Sequence, residues 1–322
     1  MPGHEPLPSS IDELQTLLVG EDYVSDRALS TSIYLALKLR RPVLLEGEAG
    51  VGKTEVAKAL ASALGRELIR MQCYEGLDIS HAVYEWNYSR QILEIQFMRG
   101  VSGLDRQAAA QELFRREFLT ERPLLRALEH PGPAPVLLID ELDRADQEFE
   151  GYLLEMLSDY QVTIPELGTV KAAQPPIVLI TSNRTRELHD ALKRRCLYCW
   201  IDYPDFDKEL RIVRTKVPAA SVALSKQATA FVQELRQSEL YKTAGVSETL
   251  DWVAALVALD EERLSPERID ATLGILLKNQ EDIQAIRGEP VRAMLDRARH
   301  RGVRLSYAGQ EPSLSWATSS KT

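Results

Sequence analysis

Four groups of residues have the types and spacing to do chemistry together. Gly47-Glu-Ala-Gly-Val-Gly-Lys-Thr54 fits the phosphate-loop pattern GxxxxGK[ST]. Its glycines let backbone N–H groups curl around phosphate oxygens, Lys53 offers a cation to the β- and γ-phosphates, and the Thr54 hydroxyl suits Mg²⁺. The candidate nucleotide-binding set is Gly47, Glu48, Ala49, Gly50, Val51, Gly52, Lys53, Thr54 and Glu55. Next, Val136-Leu-Leu-Ile-Asp-Glu141 is an apolar run ending in two acids. Asp140 there can hold Mg²⁺ through its water shell, which makes Thr54 and Asp140 the candidate metal ligands, and Glu141 can polarise an attacking water. Ile177-Val-Leu-Ile-Thr-Ser-Asn183 ends in an amide that could orient that water, although a turn-forming asparagine reads the same way. Finally, Asp190-Ala-Leu-Lys-Arg-Arg195 carries Arg194 and Arg195, which could present a guanidinium to a neighbour's nucleotide or serve as ordinary cations at a helix C-terminus.

The elements that must hold these groups can be read from periodicity. Ile11 to Leu39 is helical in spacing, with Ser25 and Asp26 as caps before a second helix that Pro42 stops. Val43-Leu44-Leu45 enters the glycine turn as a strand, and Thr54 to Leu64 is a helix closed by Gly65. Buried-type strands follow at Glu67–Gln72, Val136–Ile139, Ile177–Thr181 and Cys196–Ile201 with helical patterns between them, which predicts an α/β fold with a parallel sheet covered on both faces. Beyond Pro204 the spacing predicts helices alone, at Asp207–Lys216, Ser225–Gln237, Ser247–Leu259, Pro266–Leu277 and Pro290–Arg301.

Composition narrows the class. The chain has 322 residues, 44% of them hydrophobic, and a net charge of −9 that opposes a phosphate backbone, so no nucleic acid is expected as a partner. Three cysteines fit a reducing compartment better than a disulfide framework. Cys196 and Cys199 form a CxxC, but on a strand positions i and i+3 face opposite sides, which opposes shared ligation. No stretch approaches the roughly 18 apolar residues of a membrane span. A cytoplasmic protein with no integral membrane segment is expected.

The order of the four motifs, followed by helices, resembles the AAA+ superfamily from about Ile33 to about Leu259. Gly151 to Pro165, Asp140-Glu-Leu-Asp-Arg-Ala-Asp146 and Thr181 to Cys196 look like its MoxR branch, closest to the subgroup that matures carbon monoxide dehydrogenase. The resemblance implies a P-loop NTPase three-layer αβα core over residues 1–205 and an all-helical lid over 206–305, and the Ser, Thr, Gly and Pro content of 306–322 predicts a flexible tail. It further implies an insertion at about 74–122 and an inserted β-hairpin at about 159–176. It assigns ATP and Mg²⁺ as cofactors, Lys53 and Thr54 to phosphate and metal, Asp140 and Glu141 to metal and water, and Asn183 to sensing the γ-phosphate. Arg195 is the implied arginine finger, with Arg194 second. The implied partners are copies of the chain in a hexameric ring, a protein with a von Willebrand factor A domain, and a client metalloenzyme.

Two features need separate mention. Many relatives carry a lid arginine after a Gly-x-Ser-Pro turn, whereas Gly245-Val-Ser-Glu-Thr-Leu250 places Glu248 and Thr249 there, implying slower turnover or a different closure signal. In the insertion, Trp86-Asn-Tyr88 and Ile92-Leu-Glu-Ile-Gln-Phe97 read either as a segment facing the ring pore or as a surface subdomain with a buried Trp. Three functions fit the motifs: a protein-remodelling ATPase, a nucleic-acid motor or loader, and a small-molecule kinase. The net charge favours the first, and the size of the helical region and the arginine pair disfavour the third. Lys53→Ala removes the side-chain cation aimed at the phosphates, so ATP affinity measured by calorimetry should fall severely; wild-type affinity would refute the phosphate-loop assignment.

Overall fold

The structure, a computed structural model, describes residues 7–98 and 113–308. The chain divides into two compact units, Met1–Asp202 and Tyr203–Thr322. Residues 99–112 of the expected insertion and the expected tail from 309 onward lie outside the described residues, while Ser306 to Ala308 still belong to a helix.

In the first unit, among the described residues, five strands form a parallel sheet in the order β2-β5-β8-β1-β9: β1 Val43–Gly47, β2 Leu68–Gln72, β5 Val136–Asp140, β8 Ile177–Ser182 and β9 Leu197–Ile201. The sequence reason is plain in the inner strands. Every residue of β1 and β5 is buried, as expected for Val, Leu and Ile runs covered on both faces. The edge strands β2 and β9 instead alternate between buried and more exposed positions. Helices α1 Ile11–Gly20, α2 Arg27–Leu39 and α3 Lys53–Ala63 belong to this unit. Asp26 caps α2 by accepting from Leu29 N at 2.8 Å, and Arg40 ends it in the left-handed conformation, φ +51°.

Between β2 and β5 lie the short helix α4 Ile79–Ala82, β3 Tyr84–Trp86, α5 Tyr88–Met98, β4 Leu119–Glu121 and α6 Pro123–Leu128. β3 and β4 pair antiparallel. Trp86 is buried, its ring edge-on to Phe114 with centroids 5.3 Å apart. Ile92 to Phe97 lie on α5, and Ile92, Leu93 and Phe97 are exposed. After β5, helix α7 Gln147–Asp159 leads into a hairpin of β6 Gln161–Ile164 and β7 Gly168–Lys171, where Gly168 supplies φ +86°. The short helix α8 Asp190–Arg195 precedes β9. Cys196 lies just ahead of β9 rather than within it. Cys196 and Cys199 are both buried, and desolvation pushes the Cys196 thiol up to about 12. Among the described residues no group of three His, Cys, Asp or Glu could hold a metal ion. Likewise, none of the described helices is long and apolar enough to cross a membrane.

The described second unit is helical: α9 Phe206–Lys216, α10 Val222–Leu235, α11 Val246–Ala258, α12 Pro266–Leu276, α13 Gln280–Ile286 and α14 Glu289–Ala308. α13 escapes periodicity because seven residues span only about two turns. Its start is set by Asn279, whose side chain accepts from Glu281 N and Asp282 N. Trp252 and Phe231 lie at the centre of this unit's core, their rings 5.5 Å apart.

The same unit buries a polar network. Arg236 grips Glu209 with both terminal nitrogens at 2.6 and 2.7 Å, Thr249 Oγ1 donates to Glu209 Oε1 at 2.9 Å, and Gln233 Nε2 donates to Glu209 Oε2 at 2.7 Å. The Glu209 and Arg236 side chains are 0% and 6% exposed. Glu248 accepts from Gly245 N at 3.0 Å at the start of α11. Residues Glu248 and Thr249 are thus committed to a helix cap and a buried network. Arg236→Ala strands the Glu209 charge and should cost about 3–5 kcal/mol. The midpoint of chemical denaturation checks this, and Arg236→Met with Glu209→Leu should recover most of the loss.

Candidate active site

Because the strands are parallel, their carboxyl ends share one edge, where open α/β sheets hold ligands. β1 ends there in Gly47, β5 in Asp140 and β8 in Ser182. At Gly47 a Cβ would sit 2.1 Å from Ile201 O, so a side chain there would force β1 away from β9. Gly50 and Gly52 take φ of +77° and +94°, and a Cβ on Gly52 would meet nothing within 4 Å, leaving an open cradle at the start of α3. Lys53 is 6% exposed and donates from Nζ to Gly47 O at 2.7 Å and to Glu48 O at 2.6 Å. Burial pulls its ammonium below the usual lysine range, against the opposing pull of Asp143, Glu48, Asp140 and Glu141. Val51 is buried at 8% exposure, and Glu55 is exposed and pairs with Lys58 at 2.6 Å.

Asp140 is 1% exposed and fully engaged. Its Oδ1 accepts from Thr54 Oγ1 at 3.0 Å and from Thr181 Oγ1 at 2.6 Å. Its Oδ2 accepts from Arg70 Nε at 2.9 Å and Nη2 at 2.6 Å. Glu141 follows with φ +55°, a left-handed backbone that L-residues adopt only at a cost, and its N–H donates to Thr181 Oγ1 at 2.8 Å. The Glu141 carboxylate accepts from Gln72 Nε2 at 2.9 Å, Arg144 Nη1 at 3.1 Å and Asn183 Nδ2 at 3.4 Å. Asn183 is held in turn by Asp143, 2% exposed, whose carboxylate accepts from Asn183 N at 3.1 Å, Thr185 N at 2.9 Å and Thr185 Oγ1 at 2.7 Å.

The structure therefore brings Lys53, Thr54, Asp140, Glu141 and Asn183 to one edge. It does not bring Arg194 and Arg195 there. Leu197, two residues after Arg195, pairs with Val43, the first residue of β1, so the arginines flank the amino edge of the sheet. The length of β1, about 13 Å at 3.3 Å per residue, separates the two edges. Arg195 donates from Nε to Ser158 Oγ at 2.8 Å, and Arg194 is exposed. Sequence reasoning missed Arg70, Gln72, Asp143 and Thr181. The available signal was alternation: Arg70 and Gln72 are the polar residues of Leu68-Ile-Arg-Met-Gln72 and share one face of β2.

The donors suit a hard cation with a nucleotide. Thr54 and Asp140 present oxygens only, and the open glycine cradle beside them offers backbone N–H groups to phosphate. Comparison with known proteins bears on this edge. Residues 42–196 match the family model "AAA domain (dynein-related subfamily)". An uncharacterized protein of Staphylococcus haemolyticus is 24% identical over 252 residues, covering 76% of this chain and 86% of that protein. The ClpA homolog protein of Fuscovulum blasticum is 34% identical over 177 residues, 53% of this chain and 19% of that protein. Among solved structures, the Thermotoga maritima RuvB Holliday junction branch migration motor aligns with a TM-score of 0.45 at 17% identity, covering 86% of this chain and 74% of that one. Residues 42–196 thus match the AAA domain family and carry a P-loop α/β fold, and that family uses ATP with Mg²⁺.

Proposed function

We propose that this chain is an ATP-hydrolysing ring subunit that remodels another protein. The observation that carries the reading is the division of labour between the two sheet edges. Lys53 and the glycine cradle would bind phosphate, and Thr54, with Asp140 acting through the water shell, would hold Mg²⁺, which supplies neutralisation of phosphate charge when bound. Glu141 accepts the proton of the attacking water, and the Asn183 amide, against the same carboxylate, orients that water. Arg195, at the amino edge, is out of reach of its own chain's phosphate loop and completes the site of a neighbouring subunit. AAA domains typically assemble as rings, which supplies that neighbour.

A protein client is favoured over a nucleic acid by the charge of −9 and by the exposed Ile92, Leu93 and Phe97 on α5, which suit contact with polypeptide. The MoxR resemblance points more finely to a partner with a von Willebrand factor A domain and to a metalloenzyme client such as a carbon monoxide dehydrogenase. In this reading the helical unit serves as the lid, with Thr249 in place of the usual arginine. ATPase rate should rise on adding such a partner or client and stay unchanged with DNA; stimulation by DNA alone would overturn the protein-remodelling reading.

Two variants test the machinery. Glu141→Gln keeps the shape of the side chain but cannot accept a proton, so ATP should stay bound while steady-state phosphate release stops. Arg195→Ala should bind ATP as wild type does yet lose about 10³-fold or more in turnover. In excess it should poison wild-type subunits through mixed rings. Rates that simply add, with mixed assemblies seen by native mass measurement, would falsify the trans-acting finger.

A further inference from the structure

The amino edge of the sheet carries a polar constellation of its own. Arg41, two residues ahead of β1, sends its guanidinium to the last carbonyls of α8. Nη2 donates to Arg194 O at 2.7 Å and to Cys196 O at 3.4 Å, and Nε donates to Arg195 O at 3.1 Å. Carbonyls at a helix C-terminus lack partners within the helix, and α8 has only six residues to fix its end. The left-handed turn at Arg40 leads into Arg41, and the Tyr160 hydroxyl donates to Arg40 O at 3.2 Å. Ser158, at the end of α7, meets the Arg195 side chain. Leu197 N donates to Pro42 O at 2.8 Å, which docks the chain after Arg195 beside the start of β1.

Electrostatics makes the arrangement telling. Lys193, Arg194 and Arg195 lie in the last turn of α8, Lys193 paired with Glu187, and Arg41 adds a further cation beside Arg194 and Arg195. Like charges are brought together here by three hydrogen bonds to backbone, which a planar fork spans in one fixed geometry and an ammonium on a flexible stem holds less rigidly. An apolar residue would pack at this exposed position without the repulsion, but would leave the carbonyls unheld.

We infer that Arg41 is a positioning residue for the Arg195 finger: it fixes the backbone at the end of α8 so that the finger projects to the neighbouring subunit's nucleotide. The inference rests on the trans-acting reading of Arg195 given above.

The test uses complementation between two inactive full-length proteins. A Lys53→Ala donor has an intact finger and a disabled phosphate loop, and an Arg195→Ala acceptor has the reverse. Mixed rings should regain ATPase activity where donor finger meets acceptor loop. Arg41→Ala placed in the donor should lower the regained rate about 10- to 100-fold, the scale of a displaced catalytic group. The same substitution in the acceptor should leave it unchanged within about twofold, because the acceptor's finger is already absent. Arg41→Lys in the donor, which keeps the charge but not the fork, should give an intermediate rate. Equal losses from donor and acceptor would assign Arg41 a folding role alone and overturn the inference, as would no loss from either or full activity with lysine. Failure of the two parent proteins to complement, with mixed rings verified by native mass measurement, would instead remove the trans-acting finger itself.

Discussion

The first unit depends on burying one carboxylate. Asp140 ends an inner strand of the sheet at 1% exposure, and an unpaired charge there would be untenable. It is accommodated because Arg70 from β2, Thr54 from α3 and Thr181 from β8 all donate to it. β2 and β8 are the two strands that flank β5, so the same bonds that satisfy the charge fix its neighbours. Removing a donor from this buried carboxylate costs about 1–3 kcal/mol, a sizeable share of what a domain has in hand. The proposed metal site and the sheet therefore cannot be altered independently.

The turn that follows shows how backbone strain is held in place. Glu141 is left-handed, Leu142–Arg144 is a single 3-10 turn, and Arg184 on the facing segment is left-handed as well, φ +56°. Each such residue is unfavourable by roughly 1 kcal/mol or more and persists only where its surroundings over-determine it. Here they do: the Glu141 N–H is bonded to Thr181, and Asp143 fixes both Asn183 and Thr185. The result sets a carboxylate beside an amide on adjacent strand ends, the arrangement that the proposed water activation requires.

A parallel sheet has a direction, and the proposed assembly follows from it. Strand carboxyl ends gather the phosphate loop, Asp140, Glu141 and Asn183 at one edge, while α8 delivers Arg195 to the other. Arg195 thus lies at the edge opposite its own chain's phosphate loop. The proposed dependence of hydrolysis on a neighbour is thus a consequence of strand polarity.

The sequence by itself determined the phosphate loop, the acids ending β5, the amide ending β8 and the strands that carry them, because each is a local pattern: a glycine spacing or an apolar run with a polar stop. Fine boundaries and the seven-residue α13 escaped it, since short helices carry too little periodicity. What only the tertiary structure decided are the partners of those residues. Arg70, Gln72, Asp143 and Thr181 have no motif; they matter because strand order sets them beside Asp140, Glu141 and Asn183. Arg41 reaches Arg195 across 154 positions of sequence for the same reason. Local chemistry is written in spacing along the chain, whereas pairing across strands depends on register and order, which burial of the whole sheet selects.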